Sequence, residues 1–547
     1  MPERDAVSPG ALPPTALGDV PADRQALAPV PFASRIGAMD IARGVALLGI
    51  FVMNIGAFSD PAGEYSVPVN PETATRAEII WHFLTHGLFE SKFYTLFSLL
   101  FGMGFIILTD RVQARRSSPT AVALRRFGFL AVLGLMHAHL LWFGDILFVY
   151  ACCSVLLLAV RKCRAKTLIV LGASLTVVGD LIILGMTFLG VVFGTGQTPV
   201  PVETPAPLVS IDPGPRASEG ATAEEAASLG DGVDVDSTLA EARQRAAESR
   251  DRALAGDASL PGNEVSTGES VAGPAPVAEV PLSSTVPENA EPLRGWAFIR
   301  DAFENARGSS PMQSAEWAEA ETAAYREGPW ADLAAFRSLT WGFVLLIVAF
   351  GAAPRIIGLF ILGAGLIRAE FFLPRHRRVH VTLVAIGLVI GVPVALYAAW
   401  NQIHAFPHDG SKLPMVYVPL QAMHALGAIL IPLALLSGAA LAANRAACSP
   451  GSALARGLHP LACTGRMALT NYLTQTLVGT TLCYFYGFAL FGTLDPVEKV
   501  AIVLGTFACQ MVLSTLWFRV FAIGPVEYVW RAFTYLRAPR LRANRAI

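Results

Sequence analysis

The sequence predicts an all-α integral membrane protein with about ten transmembrane helices, both termini cytoplasmic, and one disordered acidic extracytoplasmic insertion. Three observations carry this. First, 53% of the 547 residues are hydrophobic and only 15% charged, and the apolar residues fall in blocks of about twenty, the length a helix needs to cross a bilayer. Helices are the form expected, because lipid offers no partner to an unpaired backbone amide. Second, the net charge of −1 conceals a segregation: residues 202–337 hold 24 acidic and 10 basic side chains, and the remainder 18 and 31. A basic membrane body and an acidic soluble segment are two environments in one chain. Third, Lys and Arg cluster in short loops that fall on one side when ten spans are drawn, and that side is the cytoplasmic one. A bacterial inner membrane is the expected location.

In order, residues 1–34 are Pro- and Ala-rich without a basic start and an apolar core, so they read as a disordered tail and not a signal peptide. The N-terminal membrane half, 35–195, holds spans near 38–58, 93–108, 127–143, 146–160 and 167–193, with an interfacial helix over 76–90 before the second. Residues 196–291 are dense in Pro, Ala, Gly, Ser and Glu and too poor in aromatics to bury a core. They are expected to be disordered, apart from a short helix around 223–252. An extracytoplasmic connector, 292–337, leads to the C-terminal half, 338–537, with spans near 340–367, 381–400, 416–442, 462–488 and 500–521. Pro354 offers a break in the first of these, and splitting it would give eleven spans. Residues 538–547 form a basic tail. Seven cysteines without a CxxC pair read as small core residues, not as a disulfide framework or metal site.

Polar residues inside such spans are the places to look for chemistry, since burying them in lipid is costly. On the first span Asp40 and Arg43 share a face, and Asn54 continues that stripe three turns further. Arg43 can meet an anion at the cytoplasmic mouth, or Asp40 and Arg43 can simply pair to fix the helix end. His82 and His86 stand one turn apart with Glu90 a turn beyond, which suits proton transfer near neutral pH; the alternative is the polar face of an interfacial helix. A metal reading lacks a third ligand and the HExxH pattern. His137 and His139 point to nearly opposite sides, so one serves packing, and His139 with Asp145 belongs toward the outer end. Asp145 also suits an N-cap for the fourth span. Arg125, Arg126 and Arg466 add cations at the inner mouth. Asn471 and Gln475 share a face and suit interhelical hydrogen bonds, and Glu527 stands one turn from Arg531.

Four stretches, MDIARGVALLGIFVMNI, KFYTLFSLLFGMGF, GLMHAHLLWFGDILFVYA and GRMALTNYLTQ through GPVEYVWRAFTY, resemble the YeiB-like family (domain of unknown function 418). The likeness covers about 35–193 and 337–537. That family is distantly similar to transmembrane acyltransferases, among them the O-antigen-type acetyltransferases and the heparan-glucosaminide N-acetyltransferase, through the Asp40–x–x–Arg43–Gly44 start of the first helix. The resemblance implies acyl transfer from acetyl-CoA or a similar acyl-CoA co-substrate, with no resident cofactor or metal. Asp40, Arg43, Arg125, Arg126 and Arg466 would lie at the donor. The O-antigen type has histidine where this chain has Asn54, whereas the heparan enzyme has asparagine there, so His86 or His82, with His139 behind them, would act as base and Asn54 as oxyanion donor. The acceptor would be a glycan, lipid or small molecule at the outer face. Two other readings fit the same residues: a permease for a small solute, and a non-catalytic membrane protein working through the insertion. The basic runs are short and topogenic, so the bilayer and not nucleic acid is the expected partner; nothing in the sequence sets the oligomeric state.

Overall fold

The computed structural model describes residues 37–193, 293–305, 311–408, 411–449 and 451–542. The N-terminal tail, the acidic insertion with its expected short helix, and the last residues of the basic tail lie outside the described residues. What is described is helical, with one isolated antiparallel bridge between Phe521 and Arg542.

In chain order we number α1 (Gly37–Ser59), α2 (Arg76–Leu84), α3 (Lys92–Ala114), α4 (Pro119–Met136), α5 (Leu147–Ser154), α6 (Ala165–Phe193), α7 (Ala315–Arg326), α8 (Trp330–Ile347), α9 (Ala353–Arg368), α10 (Val392–Ala405), α11 (Tyr417–Cys448), α12 (Ala453–Arg466), α13 (Ala468–Cys483), α14 (Pro496–Val520) and α15 (Pro525–Tyr535). Eight stretches of the described residues are long and apolar enough to cross a membrane: α1, Arg76–Ala114, Pro119–Leu141, α6, Trp330–Arg368, Pro374–Ala405, α11 and α14. The two further spans expected from the sequence are absent from that set. Residues 146–160 divide into α5 and a single turn, Leu157–Val160. Residues 462–488 divide at Met467, and α13 carries Thr, Asn and Gln throughout. The second of these still runs alongside α1: Gly465 lies against the Asp40 carbonyl at one end and Gly479 against the Phe58 ring at the other.

The stretch 76–90 does not lie apart from the second span. Together they form one of the eight apolar stretches, 39 residues long, broken where Glu90 turns extended and Ser91 takes a left-handed conformation, φ +63°. The break falls at mid-height, since the Phe93 ring packs over Gly49 in the middle of α1 and Gly104 faces the Arg43 guanidinium near its start. A capping box between Thr75 and Glu78 begins α2. A second broken crossing is α8–α9, joined by the π-turn Val348–Ala352 with Pro354 in the first turn of α9. Backbone dihedrals stay helical on both sides of that turn, φ −57°, ψ −43° at Ile347 and φ −58°, ψ −46° at Ala353, and Trp330–Arg368 counts as one of the eight apolar stretches.

Small residues let the helices close up, as membrane packing favours. Gly102 of α3 meets the Phe360 backbone and Gly363 of α9 meets Leu99, with no room for a Cβ on either. One end of the bundle is basic: Arg368 donates to Asp110 at 3.2 Å and to the Arg161 carbonyl at 2.6 Å, which brings three separate loops level. The opposite end is closed by an aromatic cluster including Phe58, Trp142, Trp317, Tyr325, Phe336 and Phe491. There Lys499 bonds both Asp60 oxygens at 2.8 Å, and Glu321 of α7 accepts the Ala62 N–H at 3.1 Å. Burial raises the Asp60 carboxyl against the opposing pull of Lys499, and burial pushes Glu321 up to about 7. All seven cysteines are free; Cys153, Cys463 and Cys483 are buried as expected of core residues, while Cys152, Cys448 and Cys509 are exposed on the helix surfaces.

Candidate functional site

The basic end opens into a cavity of about 670 Å³ walled by α1, α3, α4, α15, the 465–472 turn and the start of α5. Six arginines line it, Arg43, Arg111, Arg115, Arg126, Arg466 and Arg531, against two carboxylates, Asp40 and Glu527. Deeper in, the walls turn apolar through Ile50, Phe97, Phe101, Leu130 and Ile146, ending at Tyr150 and Tyr472. A cationic mouth above an apolar well suits an anionic head carrying an uncharged tail.

The arginines are held by their own neighbours. Arg43 reaches Asp40 one turn away at 3.1 Å. Arg126 lies over the Trp530 ring at 3.8 Å, and Trp530 Nε1 donates to the Arg126 carbonyl at 3.3 Å. Arg466 lies over Phe518, also at 3.8 Å. Stacking uses the guanidinium faces, and the edges are the side that meets phosphate two oxygens at a time; Arg466 also donates from its edge to the Ala522 carbonyl at 3.4 Å. Glu527 does structural duty: its Oε1 accepts Leu469 N–H at 2.8 Å and Thr470 N–H at 3.1 Å, and its Oε2 accepts the Thr470 hydroxyl at 2.6 Å. These are first-turn donors of α13, which have no partner within the helix.

Asp40, Arg43, Arg126 and Arg466 thus meet in one cavity. Arg125 does not join them; it donates to the Thr534 carbonyl at 3.3 Å. The residues assigned to the outer side are not collected in one place. His82 and His86 stack with ring centroids 3.9 Å apart, and His86 Nδ1 bonds Glu90. His139 faces outward onto Trp341, ring centroids 4.7 Å apart, with Ser338 at 3.5 Å. It is His137 that turns inward, with Nδ1 3.1 Å from Asp145 but out of hydrogen-bond alignment, and Nε2 3.0 Å from the Thr476 hydroxyl. The π-turn His137–Leu141 begins at that residue. Asp145 stands one residue before the N-cap of the next helix, Ile146, and accepts Phe148 N–H of its first turn at 2.7 Å. Asn54 lines neither this cavity nor the one described below. Asn471 and Gln475 act as interhelical links, through Ser514 at 3.1 Å and Gln510 at 3.0 Å.

The mid-height break gathers a second polar cluster that the sequence reading left incomplete. Lys92 Nζ donates to the His86 carbonyl at 2.8 Å. His424 Nε2 of α11 stands 4.0 Å from Glu90. Arg355 of α9 pairs with Asp180 of α6 at 2.6 Å and also donates to the Tyr94 hydroxyl. At 1.5 Å per residue, Arg355 lies about 20 Å above the basic end of α9. Asp180, Arg355 and His424 each interrupt a long apolar run, the signal by which an intramembrane ionisable group is found. Among the described residues no group of three His, Cys, Asp or Glu is placed to hold a metal ion.

Comparison with known proteins follows the same outline. The family described as "Protein of unknown function (DUF418)" matches residues 366–537. The chain is 24% identical to Uncharacterized protein YxaH of Bacillus subtilis (strain 168) over 526 residues, 92% of this chain and 94% of that protein. It is 27% identical to Uncharacterized protein YeiB of Escherichia coli (strain K12) over 505 residues, 91% and 96%. None of these descriptions names an activity, and no solved structure matches. Motifs, helices of membrane-spanning length and near full-length similarity agree: residues 366–537 match the DUF418 family, and the chain as a whole is similar to YxaH and YeiB.

Proposed function

We propose that the protein transfers an acyl group, acetyl in the simplest case, from an acyl-CoA-type donor in the arginine-lined cavity to an acceptor on the far side. The observation that carries this is the cavity itself, six arginines at the mouth and an apolar well behind them. Phosphates of the donor bind Arg43, Arg126 and Arg466, and the uncharged pantetheine arm and thioester occupy the well. By the positive-inside rule the basic end faces the cytoplasm, where such a donor is found. On this reading both termini are cytoplasmic, the chain crosses a bacterial inner membrane ten times, and the two segments outside the apolar set count among those crossings. An acceptor hydroxyl or amine attacks the thioester carbon and the thiolate leaves. His86, oriented by Glu90, takes the acceptor proton, a contribution of about 10²–10⁴ in rate.

The test is transfer of label from acetyl-CoA by the full chain in proteoliposomes. His86→Ala should abolish it; wild-type rates in that variant would remove His86 from the mechanism. A second reading, a permease for an anionic solute, has one observation in its favour. Two broken crossings, at Glu90–Ser91 and at Val348–Pro354, bring Glu90, Lys92 and Arg355 to mid-height, as in carriers with discontinuous helices. Solute uptake indifferent to acyl-CoA would select it.

A further inference from the structure

A second cavity, of about 250 Å³, lies between α6, α11 and the start of α3. Its rim is apolar and turned outward: Val177, Leu181 and Leu426 line it while keeping 51%, 59% and 44% of their surface exposed, each on a crossing helix. In a bilayer such a rim meets lipid tails. Its polar wall is Tyr94, Asp180, Arg355 and His424. The two cavities stand back to back across a pair of tyrosines. Tyr94 belongs to this wall and Tyr150 to the arginine-lined one. Tyr150 donates to the Tyr94 carbonyl at 3.1 Å and shares a 2.7 Å hydrogen bond with Ser98.

The charges around this wall cancel. Arg355 is matched by Asp180, and Lys92 and Glu90 are neighbours at the break. A further anion would be left uncompensated in a low-dielectric site. Hydrogen-bonding capacity, however, is not used up: Arg355 Nη2 and His424 Nδ1 are both buried without a hydrogen-bond partner. Glu90 stands on the Nε2 side of His424 and favours a proton there, which makes Nδ1 an acceptor. One open donor, one open acceptor, no net charge and an exit into lipid define the ligand.

We propose that this cavity binds the hydroxyl end of a neutral, membrane-dissolved amphiphile, a long-chain alcohol or a diacylglycerol-type lipid, whose chain leaves past Val177, Leu181 and Leu426. That this molecule is the acyl acceptor rests on the acyl-transfer reading; that it binds does not. Ester formation then balances. The hydroxyl oxygen bonds the acyl carbon, the C–S bond breaks, and the hydroxyl proton passes through the imidazoles around Glu90 to the departing thiolate. Nothing is oxidised or reduced.

The experiment uses the full chain in phosphatidylcholine nanodiscs without CoA, photolabelled by hexadecanol carrying a mid-chain diazirine, with labelled peptides identified by mass spectrometry. Label should fall on 177–184 and 421–429, and excess hexadecanol should compete for it. Hexadecyl methyl ether, which cannot donate, and hexadecyl sulfate, which is permanently charged, should not. Ala425→Phe, which fills the cavity and spares its polar wall, should abolish labelling. His424→Ala should weaken it about fivefold, the worth of one hydrogen bond. Labelling unaffected by Ala425→Phe overturns the site, and equal competition by the ether or the sulfate overturns the hydroxyl assignment. If labelling behaves as expected while acetyl transfer is absent, the enzymatic reading falls and the site stands. Transfer without labelling does the reverse.

Discussion

Arg126 offers the cleanest test of the donor cavity. Its guanidinium lines the wall and lies over Trp530, and it is half-buried. A charge-assisted hydrogen bond to a phosphate contributes about 1.5–3 kcal/mol, which corresponds to a Kd raised about 10- to 150-fold in Arg126→Ala. The contact with Trp530, about 0.5–1 kcal/mol, is lost in the free and bound protein alike, so it appears in the melting temperature and not in affinity. Arg126→Lys should fall between, since an ammonium keeps the charge and loses the planar fork. The assay is isothermal titration of the purified full chain with CoA and, in parallel, with pantetheine, which shares the tail and lacks the phosphates. Arg126→Ala should weaken CoA and leave pantetheine unchanged. CoA affinity within about twofold of wild type, or an equal loss for pantetheine, would refute the phosphate assignment.

Three further outcomes follow from the packing. Glu527→Ala strands the Leu469 and Thr470 amides at the start of α13 and should cost about 1–3 kcal/mol per unpaired group, read as a lowered Tm that Glu527→Gln, which keeps an acceptor oxygen, largely restores. Gly465→Ala drives a Cβ into the backbone of Asp40 and Gly44, which no side chain can relieve; it should cost about 1–3 kcal/mol or more and weaken CoA binding together with folded yield. Glu321, at 4.5 when unfolded and raised to about 7 when folded, holds its proton more tightly in the native state. Its contribution to stability is therefore full below 4.5 and lost as pH rises through about 7. Thermal melts followed by tryptophan fluorescence should show that fall, and Glu321→Gln should flatten it.

The helical membrane class was legible because hydropathy is a sum over twenty residues and survives local irregularity. The same averaging blurs what happens inside a span. Nothing in WHFLTHGLFESKF announces that Ser91 takes a left-handed turn and that two helices meet at mid-height. Without that break the stretch reads as a surface helix followed by a separate crossing. The α13 segment, part of a span expected from the sequence, falls outside the apolar set, being 16 residues long and carrying Thr, Asn and Gln. Those polar groups are satisfied by neighbours such as Ser514 and Gln510, which a hydropathy sum cannot know. At the donor side, Asp40, Arg43, Arg126 and Arg466 were legible as cations and a carboxylate at one membrane face. Arg111, Arg115 and Arg531 read as topogenic charge, although they line the same cavity. Of His137 and His139 the sequence points to His139 as the candidate base, whereas the structure turns His137 inward and leaves His139 exposed. Which one turns inward depends on where the π-turn begins, a backbone choice without a residue signature.

That break also accounts for why Glu90 and Lys92 can serve one cluster. Two residues apart on a straight helix they would diverge by more than half a turn. With Glu90 extended and Ser91 left-handed, both side chains are brought back beside His86. A break in lipid leaves carbonyls without their helical partners, a cost that only local donors offset. Lys92 Nζ supplies one to the His86 carbonyl, and the Glu90 and Lys92 amides close onto the carbonyls of Thr85 and Glu90. The lysine therefore both repairs the backbone and balances the carboxylate between His86 and His424. A span built this way holds its charges at mid-height without a compensating ion from outside. The adjoining cavity is left with hydrogen bonds to offer and no charge to neutralise, which is the condition that selects a hydroxyl over a phosphate.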